Sequence, residues 1–291
     1  LSRVWNSMGR IGFTKECFMK ARKSNPNARL IINDYRTGED YVDVIRQLID
    51  EAGHPLYDII GIQSHMHSEG VWPATQTWET LERFARLGAP LHFTETTILS
   101  GKRGFDLAKK EGAWPSTPEG EAFQSKAVKQ FYTILFSHPS VEAITWWDIS
   151  DRKSWMQAPA GLLDKNLNPK PAYTTLENLI RHQWWTRQVL RSNTDGRASF
   201  RGFYGHYTIG VQLPGGFQSN TAFHLTRGAS NLLEIQIERP DSAVSPAKPL
   251  HSRSGFNPYP WPRGWHPAVS HGLHPGWAEY RNRSRGAWRD R

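Results

Sequence analysis

Residues 90–99 read "PLHFTETTIL", an apolar, β-branched run with a single carboxylate set in it. Leu91, Phe93 and the threonines favour an extended strand, and Glu95 falls where that strand is expected to stop. A solvated strand terminus and a carboxylate presented to a ligand look alike at this scale, so the neighbours decide. "ARLIIND" (28–34), "YDIIGIQSH" (57–65) and "VEAITWWDIS" (141–150) share the texture: short apolar runs that end in polar or aromatic residues. Between them lie segments with helical spacing. "FTKECFMKARKSN" (13–25) precedes the first strand, and "EDYVDVIRQLIDEAG" (39–53) is expected to run to Gly53. "TWETLERFARLG" (77–88) closes at Gly88, and "PEGEAFQSKAVKQFYTILFSH" (118–138) is capped by Thr117 and opened by Pro118. "AYTTLENLIRH" (172–182) is the last helix.

Strands separated by amphipathic helices require crossover connections, so the class is α/β with a parallel sheet. The strands are apolar on both faces, as buried parallel strands are. A doubly wound sheet and part of a (β/α)8 barrel both satisfy this pattern. After "HQWWT" (182–186) helical periodicity is lost. Residues 186–238 show short alternating runs between Asp-Gly and Gly-Gly pairs, the pattern of antiparallel hairpins in a small β module. Residues 239–291 are rich in Pro, Gly, Ser, Arg and Trp without period and are expected to be disordered.

Composition excludes several function classes. The 291 residues are 38% apolar, and no apolar run reaches the length of a membrane span, so no membrane partner is expected. The net charge of +9 points towards nucleic acid, yet residues 241–291 alone hold eight Lys or Arg against three acids. The basicity is a tail property, and no nucleic-acid partner is expected. Cys17 is the single cysteine, which excludes an intrachain disulfide and a cysteine metal cluster, and it is expected to fill the core. No glycine-rich loop follows a strand, so no nucleotide cofactor is expected.

In parallel α/β folds ligands meet the C-terminal ends of the strands. Those ends carry Asn33, Asp34 and Tyr35; Gln63, His65 and His67; Glu95; and Trp147, Asp148 and Asp151, followed by Trp155. Four polar or aromatic strand ends in succession constitute a candidate site. Aromatic faces pack against the C–H faces of sugars while amides and imidazoles bond hydroxyls, and glycoside hydrolysis needs two carboxyl groups about the scissile bond.

"NDY" (33–35), "GIQSHMH" (61–67), "HFTE" (92–95), "TWWDISDRKSW" (145–155) and "GLLDKNLNPKPAY" (161–173) together resemble glycoside hydrolase family 10, the retaining endo-β-1,4-xylanases, over roughly residues 8–185. The resemblance implies a (β/α)8 catalytic domain over residues 1–185, of which strands five to eight are represented. It implies Glu95 as nucleophile, His65 as the histidine that hydrogen-bonds and orients it, and Gln63 beside it. Trp147 and Trp155 would wall the sugar subsite next to the scissile bond, and Asn33 and Tyr35 would line the cleft. Trp146 should pack in the core. The implied partner is xylan or a xylo-oligosaccharide, with no metal or cofactor, and the implied location is secreted or periplasmic, although no signal peptide is evident at Leu1. Two features depart from the family. Thr96-Thr97 stand where Leu-Asp usually follows the nucleophile, so a hydrogen bond from that Asp is replaced or missing. The family's first four strands, with the Asn-Glu pair that supplies the acid/base, are expected upstream, and the chain alone is therefore expected to be inactive unless Asp148 or Glu69 substitutes. One rival is a zinc amidohydrolase built on His65-x-His67. Another is a carbohydrate-binding protein without catalysis, using residues 186–238 as a β-sandwich with Phe203, Tyr204 and Tyr207 for stacking.

Overall fold

The computed structural model describes residues 2–67, 70–102, 114–213 and 218–236. The tail at 239–291 and Glu69 lie outside the described residues. Helix α1 (Ser2–Ser24), broken at Gly9, leads into four strand–helix units. These are β1 (Ile31–Asp34) with α2 (Glu39–Arg46); β2 (Ile59–Ile62) and the short β3 (His65–Met66) with α3 (Ala74–Ala85); β4 (Leu91–Ile98) with α4 (Pro118–Ser137); and β5 (Val141–Trp146) with α5 (Pro171–Asn178). Every pairing in this sheet is parallel, and the lateral order is β1-β2-β4-β5, with β3 returning beside the far end of β4. Each unit is added on the same side as the one before it. The helices pack in the same sequence, α2 on α3, α3 on α4 and α4 on α5. A doubly wound sheet reverses direction at a switch point; this order does not reverse, which is the (β/α)8 arrangement.

The core lies between the sheet and the helices. Ile60, Ile62, Leu91, Phe93 and Ile144 from the strands meet Ile45, Leu81, Phe84, Phe131, Leu135 and Leu176 from the helices. Thr117 caps α4 as expected, its hydroxyl accepting the Gly120 N–H at 3.0 Å, with Pro118 at the first helical position. Trp146 is buried and donates its indole N–H to the Ala160 carbonyl at 3.0 Å.

Four expectations need correction. Strand β4 does not stop at Glu95 but continues to Ile98, because its second half pairs with β3, His65 opposite Thr97 and Met66 opposite Ile98. Helix α2 ends at Arg46, not Gly53. The Asp50 carboxylate accepts the N–H groups of Ala52 (2.9 Å) and His54 (2.8 Å), and this local turn outcompetes further helix. Cys17 is exposed rather than buried. Ile11 and Phe18 carry the buried side of α1, and a residue adjacent to Phe18 points about 100° away from it. Finally, among the described residues 186–236 hold one antiparallel hairpin, β6 (Gly205–Gln212) with β7 (Gln218–Leu225), not a sandwich. Its aromatics serve packing: Phe203 meets Phe136 of α4 at 5.4 Å between rings, and Tyr207 packs on Phe200 at 5.3 Å.

One buried ion pair ties the loop after β5 to the rest. Lys170 and Asp151 are both almost fully buried, with Nζ 3.0 Å from Oδ2, and Nζ also donates to Ser100 Oγ at 2.9 Å. Asp151 Oδ1 accepts the Gly161 N–H at 2.7 Å. Lys170→Met would leave a buried carboxylate without its cation. The expected loss is roughly 3–5 kcal/mol of stability, read from the denaturant midpoint; a midpoint unchanged from wild type would show the pair to be unimportant to the fold.

Candidate active site

Three strands bring Asn33, His65 and Glu95 together. Asn33 lies on β1, and β2 separates it from β4. Its side chain crosses that gap because Gly61 is its register partner on β2. A Cβ at position 61 would stand 2.6 Å from Asn33 Oδ1, so only glycine leaves the path open. Asn33 then donates Nδ2–H to Glu95 Oε1 at 3.1 Å and accepts the Thr94 hydroxyl on Oδ1 at 2.8 Å. The two partners fix the amide orientation, since a carboxylate only accepts.

Thr94 and Glu95 are consecutive, and in a regular strand they would face opposite sides. A bulge permits both to reach Asn33. Between the pairs Phe93–Ile144 and Thr96–Trp146, β4 spends one more residue than β5. Such a bulge re-aims a side chain at the point where the ladder is interrupted.

His65 reaches the carboxylate from the other side. Ser64 adopts φ 54° between β2 and β3, which ends the first strand and brings the next residues back beside β4. Its hydroxyl is held by Thr96 Oγ1 at 2.8 Å, buried between the strands. His65 Nε2 lies 3.0 Å from Glu95 Oε2, and Nδ1 lies 2.9 Å from Thr97 Oγ1. Glu95 requires a donor, so Nε2 carries hydrogen, and in the neutral ring Nδ1 accepts the Thr97 hydroxyl. Thr97 thus replaces the hydrogen bond expected from an aspartate at its position. Both ring nitrogens are engaged by protein groups. Among the described residues no group of three or more His, Cys, Asp or Glu side chains is arranged to hold a metal ion.

The aromatic residues gather about His65, the imidazole that holds this carboxylate. Trp155, 46% exposed, stacks on His65 with ring centres 5.7 Å apart and planes 27° apart. Trp147, 39% exposed, meets the same imidazole edge-on at 6.0 Å. His67 is buried beside them, its ring 5.4 Å from His65. Desolvation, with the neighbouring His65 adding to it, pushes His67 down to about 4, so it is neutral at physiological pH. Two anticipated residues stand apart from the hydrogen-bonded group. Tyr35 is 68% exposed just after β1, and Gln63 is half-buried after β2, its backbone N–H donating to the Asp34 carbonyl at 3.1 Å.

The sequence reading missed Thr94, and it offered Asp148 as a substitute acid, not as the hydrogen-bond partner of Trp155. Thr97 shares Glu95's strand parity and was legible as a same-face neighbour; Thr94 was hidden by the bulge. Asp148 has φ 65° and accepts the Trp155 N–H on Oδ2 at 2.7 Å. Burial raises its carboxyl above the ordinary range.

Residues 2–179 match the sequence profile of the family described as Glycosyl hydrolase family 10. The endo-1,4-β-xylanase B of Thermotoga neapolitana is 29% identical over 182 residues, which are 59% of this chain and 49% of that protein. The endo-1,4-β-xylanase of Geobacillus stearothermophilus is 28% identical, over 61% of this chain and 56% of its own. The anti-sigma-I factor RsgI6 of Acetivibrio thermocellus is 26% identical over 74% of this chain but 26% of its own length. Among solved structures, a GH10 endoxylanase retrieved from a sugarcane soil metagenome superposes with a TM-score of 0.50 at 25% identity, covering 60% of this chain and 56% of that one. The chain therefore spans about half the length of the curated xylanases it matches. The profile match covers more than half of the chain, and the chain belongs to glycosyl hydrolase family 10.

Proposed function

We propose that this chain is the part of a retaining endo-1,4-β-xylanase that carries the nucleophile, and that the nucleophile is Glu95. The observation that carries the reading is the pairing of Glu95 with one donor on each oxygen, Asn33 Nδ2 and His65 Nε2, with two exposed indoles against that same His65. Two fixed donors stop the carboxylate rotating, while lone pairs remain for attack on an anomeric carbon. Trp147 and Trp155 offer flat apolar faces to the C–H surface of xylose units, and Asn33, Gln63 and Tyr35 supply polar contacts at the rim. Retaining hydrolysis then needs a carboxylic acid about 5–5.5 Å from Glu95 to protonate the leaving oxygen. Xylan is too large to cross a membrane, so a protein acting on it works outside the cytoplasm, secreted or periplasmic.

His65 acts in this reading by orientation, not by binding a metal. His65→Ala should lower turnover of xylo-oligosaccharides by about 10²-fold, the scale of loss when a reacting group is misplaced by an ångström. A chelator should leave the rate unchanged. Rate lost to chelator and restored by zinc would return the amidohydrolase alternative.

A second reading has one observation in its favour: a relative matched over 74% of this chain is an anti-sigma factor by name. The site would then bind carbohydrate without turning it over. Xylo-oligosaccharide affinity that persists in Glu95→Gln, with no turnover by wild type even when a general acid is supplied, would select that reading.

A further inference from the structure

Backbone strain in this molecule gathers near two stacked rings. Ser64, Asp148, Met156, Gln157 and Leu167 are the described non-glycine residues with positive φ, and three of them, Ser64, Asp148 and Met156, adjoin His65 or Trp155 in chain or by contact. Strain of this kind persists only where the surroundings impose it, and it collects at working sites. At Asp148 the imposing contact is visible. The residue follows Trp147 at the end of β5, with φ 65°, a conformation that glycine adopts without steric cost. Its Oδ2 accepts the backbone N–H of Trp155, seven residues on, at 2.7 Å. A carboxylate acceptor makes this a charge-assisted bond, short and directional. On its other side Trp155 lies over His65 and meets His67 edge-on at 5.0 Å.

We infer that Asp148 is a positioning residue: its carboxylate holds the Trp155 N–H and so sets the indole over His65, in exchange for a left-handed backbone at Asp148 itself. The inference rests on the proposed reading that Trp155 lines the sugar subsite. A glycine at 148 would fit the backbone better and could not make the bond. The local rule is broken where a functional contact is gained.

Three substitutions separate positioning from other roles. Asp148→Asn keeps a side-chain acceptor for Trp155 but can neither carry charge nor donate an acidic proton. Asp148→Ala and Asp148→Gly both lose the acceptor, and glycine alone relieves the backbone. Thermal midpoints should therefore rank glycine above alanine by a few degrees. Binding should not follow that rank: both should weaken xylotriose affinity by about 5–10-fold, the scale of one stacked aromatic contact, while asparagine stays within about 2-fold of wild type. The readout without sugar is the indole N–H resonance of Trp155, assigned by its loss in Trp155→Phe. It should move in the alanine and glycine variants and stay in the asparagine variant.

An unmoved resonance in Asp148→Ala overturns the inference whatever the protein binds. Affinity that tracks the thermal midpoints would also overturn it, since Asp148 would then be structural. Turnover lost in Asp148→Asn with Trp155 unmoved would make Asp148 a charged or acidic group in the reaction, which contradicts positioning. A resonance that moves as expected in a wild type that binds no xylotriose would leave the positioning intact and remove the sugar-site reading instead.

Discussion

In an enzyme completed by the upstream strands, replacing Glu95 with glutamine is expected to abolish hydrolysis, by on the order of 10⁴–10⁶-fold, the scale of removing the attacking group from a covalent mechanism. Folding should be nearly untouched, and the hydrogen-bond pattern explains why. Wild-type Glu95 accepts from Asn33 on one oxygen and from His65 on the other. Glutamine retains one acceptor for Asn33 and turns its amide N–H₂ towards His65. The imidazole can answer by moving its proton from Nε2 to Nδ1, because Thr97 Oγ1 beside Nδ1 can accept as readily as donate. No buried group is orphaned, so the cost should stay within about 1 kcal/mol. A variant retaining most of the wild-type turnover would remove Glu95 from the role. A variant that failed to fold would contradict the tautomer argument.

The second large effect concerns the other carboxyl. Glu95 touches an amide and an imidazole, and an attacking carboxylate cannot protonate its own leaving group. Asp148 is described close by, but its Oδ2 is bonded to the Trp155 N–H. Glu69 lies outside the described residues. The acid is therefore expected from strands that the family resemblance assigns upstream. Residues 1–291 alone should hydrolyse unactivated xylan at least about 10²–10⁴-fold more slowly than the same residues joined by those strands, the range general acid catalysis supplies. The parallel sheet agrees, because among the described residues β1 pairs with β2 alone and β5 with β4 alone. Parallel strands are normally flanked on both edges. The measurement is co-expression with an upstream half carrying the Asn-Glu pair. Near-equal rates with and without it would place the acid within these residues.

Much of this architecture was legible because strands and helices differ in period. The four apolar runs became β1, β2, β4 and β5, and Thr117-Pro118 marked the start of α4. The strand ends named Asn33, His65 and Glu95, which the structure brings into contact, since in a parallel sheet they meet on one edge. Most of what stayed hidden depends on contacts distant in sequence. The bulge at Thr94–Glu95 exists only in the register between β4 and β5. The left-handed turn at Ser64 splits a run that reads as one strand. The end of α2 depends on Asp50 finding the N–H groups of Ala52 and His54, a local competition that apolar spacing does not record. Asp151 reads as a strand-end residue of the candidate site, and only the structure shows it buried in an ion pair with Lys170. Gly61 looks like an ordinary strand glycine; its purpose is visible only when Asn33 passes over it.

The central claim is that Glu95 attacks an anomeric carbon, and a mechanism-based label tests it without need of a general acid. A dinitrophenyl 2-fluoro-xylobioside has a leaving group that departs without protonation, and its fluorine slows release of the glycosyl-enzyme. Incubated with residues 1–291, it should add one fluoro-xylobiosyl mass to the protein, and peptide mapping should put that mass on the fragment containing Glu95. Glu95→Gln should remain unlabelled. A label on any other carboxylate, or a wild type that binds xylobiose yet never forms the adduct, would contradict the account.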